Sequence, residues 1–296
     1  MCNHDTNVYN YIVKWMAQMF QYPEIKTIAP TFVGEQGTGK TTMVKTLSRM
    51  MGPTKVLETK RPSRDVVGEF NELMENAFLV NISEAKLKDN KDGSGEIKGL
   101  ITDPILPINR KGFNKYSILS YHRFIYDSNN YNCTETSQGD RRNIIIYVSK
   151  EKKGDIEYFN TLNKYIDDIN TLRTLYDYFM NIEGLDKFNE IKKPLTEHQE
   201  LLVQMSRTAP DLWLEYYTMQ NININKTIKS PKELYEEFLK WCKENNVEYE
   251  TNTLRLGHQL AFLKIDGAIV VNANKRDKTI NFEVLRNHYG IFIEKL

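Results

Sequence analysis

Thr31-Phe32-Val33-Gly34-Glu35-Gln36-Gly37-Thr38-Gly39-Lys40-Thr41-Thr42 is the stretch that decides the fold of this chain. Gly34, Gly39, Lys40 and Thr41 satisfy G-x-x-x-x-G-K-[ST]; the apolar run Ile28 to Val33 precedes them and the helix-like Met43-Val44-Lys45-Thr46-Leu47 follows. Strand, loop and helix in that order have a physical use. Glycines let consecutive backbone N–H groups turn inward around phosphate oxygens, and the helix aims its positive N-terminal end at the same anion. Gly34, Glu35, Gln36, Gly37, Thr38, Gly39, Lys40, Thr41 and Thr42 are thus the expected nucleotide site, with ATP and Mg2+ as its ligands. Lys40 would reach the β- and γ-phosphates, and the Thr41 hydroxyl the magnesium. The expected fold class is α/β, with a parallel sheet and flanking helices.

Composition bounds the rest. The 296 residues are 40% hydrophobic, enough for one large domain or a core domain with smaller ones. No apolar run approaches the roughly 20 residues that span a bilayer. The start, Met1-Cys2-Asn3-His4-Asp5, has no signal-peptide pattern, so an intracellular location without a membrane partner is expected. Cys2, Cys133 and Cys242 lie far apart, which indicates neither a disulfide framework nor a zinc site. With 40 basic and 39 acidic residues the formal charge is +1, so any nucleic-acid contact must come from local patches.

A helix is expected over residues 7–22, stopped by Pro23 and packed on the nucleotide domain. Residues 76–85 form a mostly apolar run ending on Glu84. In a parallel sheet this strand is expected beside the loop strand, delivering Glu84 to the γ-phosphate as catalytic base and to the magnesium. Capping of the next helix is the plainer role for Glu84. The preceding position, Ser83, offers no charge to a metal. Residues 89–95 suggest a polar loop, Glu96 to Ile101 a short helix, and Ile105 to Phe113 two strand edges around a basic turn. Arg110 and Lys111 at that turn suit a DNA backbone, although such a tripeptide is commonly just a solvated turn. The run from His122 is a further strand whose polar end carries Asn129, an amide able to hold the attacking water. Arg141 and Arg142, at the mouth of the strand starting near Ile144, are candidates for an arginine finger; the alternative is structural pairing with Asp140 or Asp127.

Lys40, Glu84, Asn129 and Arg141 follow one another in an order and spacing that resembles superfamily 3 helicases of the AAA+ class, found in viral, phage and plasmid replication proteins. The chain is most similar to the helicase part of poxvirus-type and phage primase-helicases. Gly34 to Thr41 matches Walker A, Leu79 to Ala85 matches Walker B apart from Ser83, and residues 98–112 resemble the segment with the DNA-contacting hairpin. Ser128-Asn129-Asn130 resembles motif C, and Gly139 to Arg142 the arginine-finger segment. The resemblance is close over residues 27–150. It implies an AAA+ ATPase core, a homo-oligomeric and usually hexameric ring, ATP between subunits, and Arg141 or Arg142 acting on a neighbour. It also implies that Arg110 and Lys111 line a pore gripping single-stranded or forked DNA, and that a primase or polymerase module lies upstream or acts as a partner.

Residues 155–182 suggest one long helix, and 196–220 another kinked near Pro210. His198 and His258 have no ligand partners at metal spacing. Asn221 to Lys229 is the expected linker. Helices over 232–244 and 252–263, then strands around a basic tip with Lys275 and Arg276, follow a winged-helix order whose wing meets nucleic acid; a small docking domain is the alternative. The expected division is an N-terminal helical segment (1–26), an ATPase core (27–150), a helical region (151–226) and a winged-helix-like domain (227–296). An ATP-dependent DNA helicase is the expected function, and a phosphate-loop switch or loader, or a catalytically weak ring subunit, the alternative.

Overall fold

A computed structural model describes residues 1–84, 91–130, 142–272 and 277–292, the side chains of 91–95 excepted. They divide into two compact units, Met1–Ser206 and Arg207–Leu296. The division falls ahead of the 226/227 boundary expected from sequence.

Asp5 caps the first helix, α1 (Thr6–Gln21), by accepting from Val8 N at 3.0 Å. The apolar face of α1 is buried as expected, and Trp15, fully buried, donates Nε1–H to Ile28 O at 2.9 Å. The chain continues through β1 (Ala29–Val33), α2 (Lys40–Met51), β2 (Val56–Thr59), the short α3 (Pro62–Asp65), β3 (Leu79–Ile82) and α4 (Lys91–Leu100). Then come β4 (Ile105–Ile108), β5 (Tyr116–Leu119), β6 (Arg123–Ser128) and β7 (Asn143–Tyr147). Helices α5 (Ile156–Asp167), α6 (Ile169–Met180) and α7 (Glu197–Met205) complete the unit.

Five strands make one parallel sheet in the order β2-β3-β6-β1-β7. Every residue of β1, β3 and β6 is buried, because helices cover both faces. One face carries Phe32, Leu79, Ile125 and Ile146 against α1, α2 and α6; the other carries Val80, Ile82 and Phe124 against α4 and the β4–β5 hairpin. The outer edge of β7 is closed by side chains: Thr196 Oγ1 donates to Ile145 O, and Lys193 Nζ to Asn143 O.

Several expectations are corrected. The Glu84 strand is not beside the loop strand, since β6 lies between them. The polar loop at 89–95 is helical from Lys91, because burial of Ile97 and Ile101 outweighs the weak helix propensity of Gly93 and Gly95. The long helix over 155–182 is broken at Asp168, whose extended backbone and carboxylate cap α6 by accepting from Asn170 N and Thr171 N. Phe113 belongs to the turn of the β4–β5 hairpin rather than to its second strand.

The second unit contains α8 (Ala209–Gln220), β8 (Lys226–Lys229), α9 (Pro231–Glu244), α10 (Thr253–Phe262), β9 (Ile269–Val271), β10 (Lys278–Asn281) and α11 (Phe282–Tyr289). Pro210 sits in the first turn of α8, where its missing N–H costs nothing, so it opens a helix instead of kinking one. Its antiparallel sheet runs β8-β10-β9 over a core that includes Trp213, Phe238 and Phe282. The expected linker 221–229 is built into this unit: β8 pairs with β10, and Arg286 donates to Ile222 O, Ile224 O and Asn225 Oδ1.

Candidate functional site

The carboxyl ends of β1, β6 and β3 bring the expected residues to one edge of the sheet. Beyond Val33 the chain turns through Gly37 (φ +83°) and Gly39 (φ +97°), conformations that disfavour any side chain. Gly39 is the N-cap of α2, so the first helical N–H groups face the loop. Lys40 is buried, and its ammonium donates to Gly34 O at 2.7 Å, Glu35 O at 2.9 Å and Asn129 Oδ1 at 3.0 Å. Burial lowers its pKa, and the negative charge of Asp127 offsets part of that shift. Thr38 Oγ1 donates to Glu35 O at 2.9 Å, while Thr41 is exposed in the first turn of α2. Glu35 is tied to Lys153 at 2.5 Å, a hydrogen bond that depresses the carboxyl pKa.

Glu84 lies one strand beyond Asn129. Its φ of +56° is unusual for a non-glycine residue and stores local strain on the order of 1 kcal/mol or more. The carboxylate is exposed and accepts from Lys60 Nζ at 2.7 Å. Ser83 is engaged on both sides: its hydroxyl donates to Glu58 Oε1 at 3.0 Å and accepts from Asn81 Nδ2 at 3.1 Å. Asn81 Nδ2 also donates to Asp127 Oδ2 at 3.2 Å.

Other expected residues lie elsewhere. Arg142 precedes β7 at the opposite end of the sheet, where its carbonyl accepts from Ala29 N at 2.8 Å. A β1-length separation, roughly 16 Å, keeps it from its own glycine loop and rules out the pairing with Asp127. Arg141, Asp140, Lys275 and Arg276 lie outside the described residues. Arg110 and Lys111 are exposed at the tip of the β4–β5 hairpin, Arg110 reaching Glu75 at 3.4 Å and lying 5.8 Å over the Phe113 ring.

A cavity of about 500 Å³ opens beside the loop, lined by Asp5, Tyr9, Thr42, Thr46, Tyr158 and Phe159 among others. The Phe159 ring covers Gly39 closely enough that a Cβ there would sit 3.3 Å away. Sequence reasoning missed this wall because it joins segments from both ends of the unit. It weighed Asp127 only as a pairing partner for the arginines, although a carboxylate beside the apolar run Phe124 to Tyr126 was a signal in its own right.

For magnesium the donor chemistry fits. Thr41, Glu84 and Asp127 offer only oxygen, as a hard cation requires. No group of three or more His, Cys, Asp or Glu is arranged for a metal among the described residues, so phosphate and water would have to complete the shell.

The first unit is thus a parallel α/β unit that gathers a glycine loop, a lysine joined to a distant asparagine and a glutamate at one edge. The DNA primase-polymerase of Nitratiruptor phage NrS-1 is a homologue, 26% identical over 225 residues that make up 73% of this chain and 31% of that protein. The chain thus spans just under a third of the length of the curated relative it matches. The fold is that of the NrS-1 C-terminal region: an apo structure of it (305–718) superposes with a TM-score of 0.66 at 21% identity, covering 95% of this chain and 73% of that one. An A-form apo structure of the same region has a TM-score of 0.67 at 21% identity, with 94% and 72% covered. A family of unknown function, DUF5906, matches residues 32–142. The likeness to phage primase-polymerases drawn from the motifs is therefore shown. Among the described residues no helix is long and apolar enough to cross a membrane.

Proposed function

We propose that the chain is an ATP-driven DNA translocase and helicase of superfamily 3, in the AAA+ class, acting intracellularly as a ring in phage, viral or plasmid replication. One observation carries this reading: Lys40 and Asn129, 89 residues apart in sequence, are hydrogen-bonded at 3.0 Å on the edge where the glycine loop opens. An amide between the loop lysine and Glu84 can register a γ-phosphate and orient water.

Gly34 to Thr42 would cradle the phosphates of ATP, and the cavity bounded by Tyr9, Tyr158 and Phe159 would take the base. Thr41, with Glu84 nearby, would hold magnesium, which would supply charge neutralisation on the phosphate oxygens. Glu84, released from Lys60, accepts the proton of the attacking water. Arg142 is too far from its own loop to act there, which suits action on a neighbouring subunit with Arg141 as the other candidate. Arg110 and Lys111 would grip single-stranded DNA at a pore. The order α8, β8, α9, α10, β9, β10 and the sheet order β8-β10-β9 support a winged helix, whose expected wing residues Lys275 and Arg276 lie outside the described residues. By analogy with the relative, a primase-polymerase module would work upstream or as a partner.

ATP hydrolysis measured with and without single-stranded DNA tests this. The native chain should be stimulated by DNA, Lys40→Ala should be inactive, and Arg110→Ala should hydrolyse ATP without responding to DNA. Turnover indifferent to DNA in every variant would leave a nucleotide switch or loader instead.

A further inference from the structure

Position 83 poses the question. A carboxylate there would meet the magnesium, but Ser83 brings none and its hydroxyl already donates to Glu58. Asp127 supplies a carboxylate from the next strand. It is only 9% exposed and sits on β6, between β1 and β3. The register pairs it with Phe32 and, one step past Ile82–Tyr126, sets it opposite Ser83. Phe32 lies on the sheet face covered by α2, so Asp127 shares the face that the helix carrying Thr41 covers.

Its surroundings are those of a ligand rather than of a structural ion. Asp127 makes no ion pair among the described residues, and its hydrogen bond comes from one amide, Asn81 Nδ2, at 3.2 Å. A buried carboxylate held for structure alone is normally closed by a cation or several donors. Two cations lie near enough to feel its charge, yet Lys60 is paired with Glu84 and the three N–H donors of Lys40 are committed to Gly34 O, Glu35 O and Asn129 Oδ1. Asn81 is fully buried and keeps its own Oδ1 without a partner, an unmet acceptor beside the carboxylate. An anion and a spare acceptor on the sheet face that α2 covers are what a hydrated divalent cation satisfies.

We propose that Asp127 is the carboxylate that holds the divalent cation of the bound nucleotide, replacing from β6 the one absent at position 83. This rests on the ATPase reading. Asn81 acts as the positioning residue, holding both the carboxylate and Ser83. Chain order hides the replacement, since position 83 and position 127 become neighbours only through strand pairing.

Binding of ATP carrying a fluorescent ribose label, measured on the full chain with Mg2+, Mn2+ or EDTA, tests the proposal without reference to turnover. The native chain should bind more tightly with either cation. Asp127→Asn should lose that metal-dependent gain by roughly 10- to 100-fold while keeping its affinity in EDTA. Adding Ser83→Asp to Asp127→Asn should return part of the gain, because the carboxylate is restored one strand away. If Asp127→Asn fails to fold by circular dichroism, Asp127→Cys decides: Cd2+ recovering tight binding where Mg2+ does not supports the assignment. A full Mg2+ gain in folded Asp127→Asn, or in Asp127→Cys, overturns it and leaves the ATPase reading standing. A native chain that binds no labelled ATP under any condition takes down both.

Discussion

Lys26 lies at the amino end of the sheet, away from the glycine loop. Its ammonium donates to Ser120 Oγ at 2.9 Å and His122 O at 3.0 Å. Burial, together with repulsion from Arg123, lowers its pKa from 10.5 to about 7, and Asp103 counteracts a little. The unfolded chain therefore holds this proton more tightly than the folded one, and folding must expel it above pH 7. Stability should rise with pH through that window, by at most about 1.4 kcal/mol per pH unit from this group. Denaturant unfolding of the native chain and Lys26→Met between pH 7 and 9 should show a positive slope in the first that is reduced in the second. Equal slopes would mean that Lys26 is solvated. At this scale Lys40, Glu84 and Asn129 were legible as candidates because their chemistry is written in their residue types. Lys60 and Asp127 were not, because their importance depends on strand neighbours.

Among the elements, the β4–β5 hairpin is the clearest case of local sequence dictating shape. Ile105 pairs with Leu119 and Ile108 with Tyr116, while Gly112, at φ +81°, permits the turn. Glu75 steadies the tip by accepting from Tyr116 Oη at 2.6 Å and pairing with Arg110. Phe113 is 70% exposed beside Arg110, an aromatic surface available to a base. Phe113→Ala should weaken single-stranded DNA binding by about 1–3 kcal/mol and leave DNA-free hydrolysis unchanged. Fluorescence anisotropy with a labelled oligonucleotide measures the first and a phosphate-release assay the second; unaltered binding would remove Phe113 from the interface. Helix existence was legible from periodicity, whereas helix limits were not. Asp168 splits one apolar stripe into two helices by capping, a competition between side chain and backbone that spacing alone does not resolve.

For the whole molecule the decisive prediction concerns subunits. If Arg141 or Arg142 completes a neighbour's site, chains carrying Lys40→Ala mixed with chains carrying both Arg141→Ala and Arg142→Ala should regain hydrolysis that neither has alone. A mixed ring contains some sites with an intact lysine on one side and an intact arginine on the other. No recovery in mixtures that co-assemble by analytical ultracentrifugation would place the arginines outside catalysis. The sequence by itself determined the parallel α/β class, the glycine loop with Lys40 and Thr41, the identities of Glu84 and Asn129, and the hairpin with its basic turn. These depend on periodicity, turn chemistry and functional groups, all of which are local. Only the tertiary structure decided that β6 lies between the loop strand and the Glu84 strand, that Asp127 faces Ser83, and that Arg142 lies far from its own loop. It also built the expected linker into the second unit. Strand order and register arise from burying both faces of a sheet at once, a condition on residues distant in sequence that no local pattern encodes.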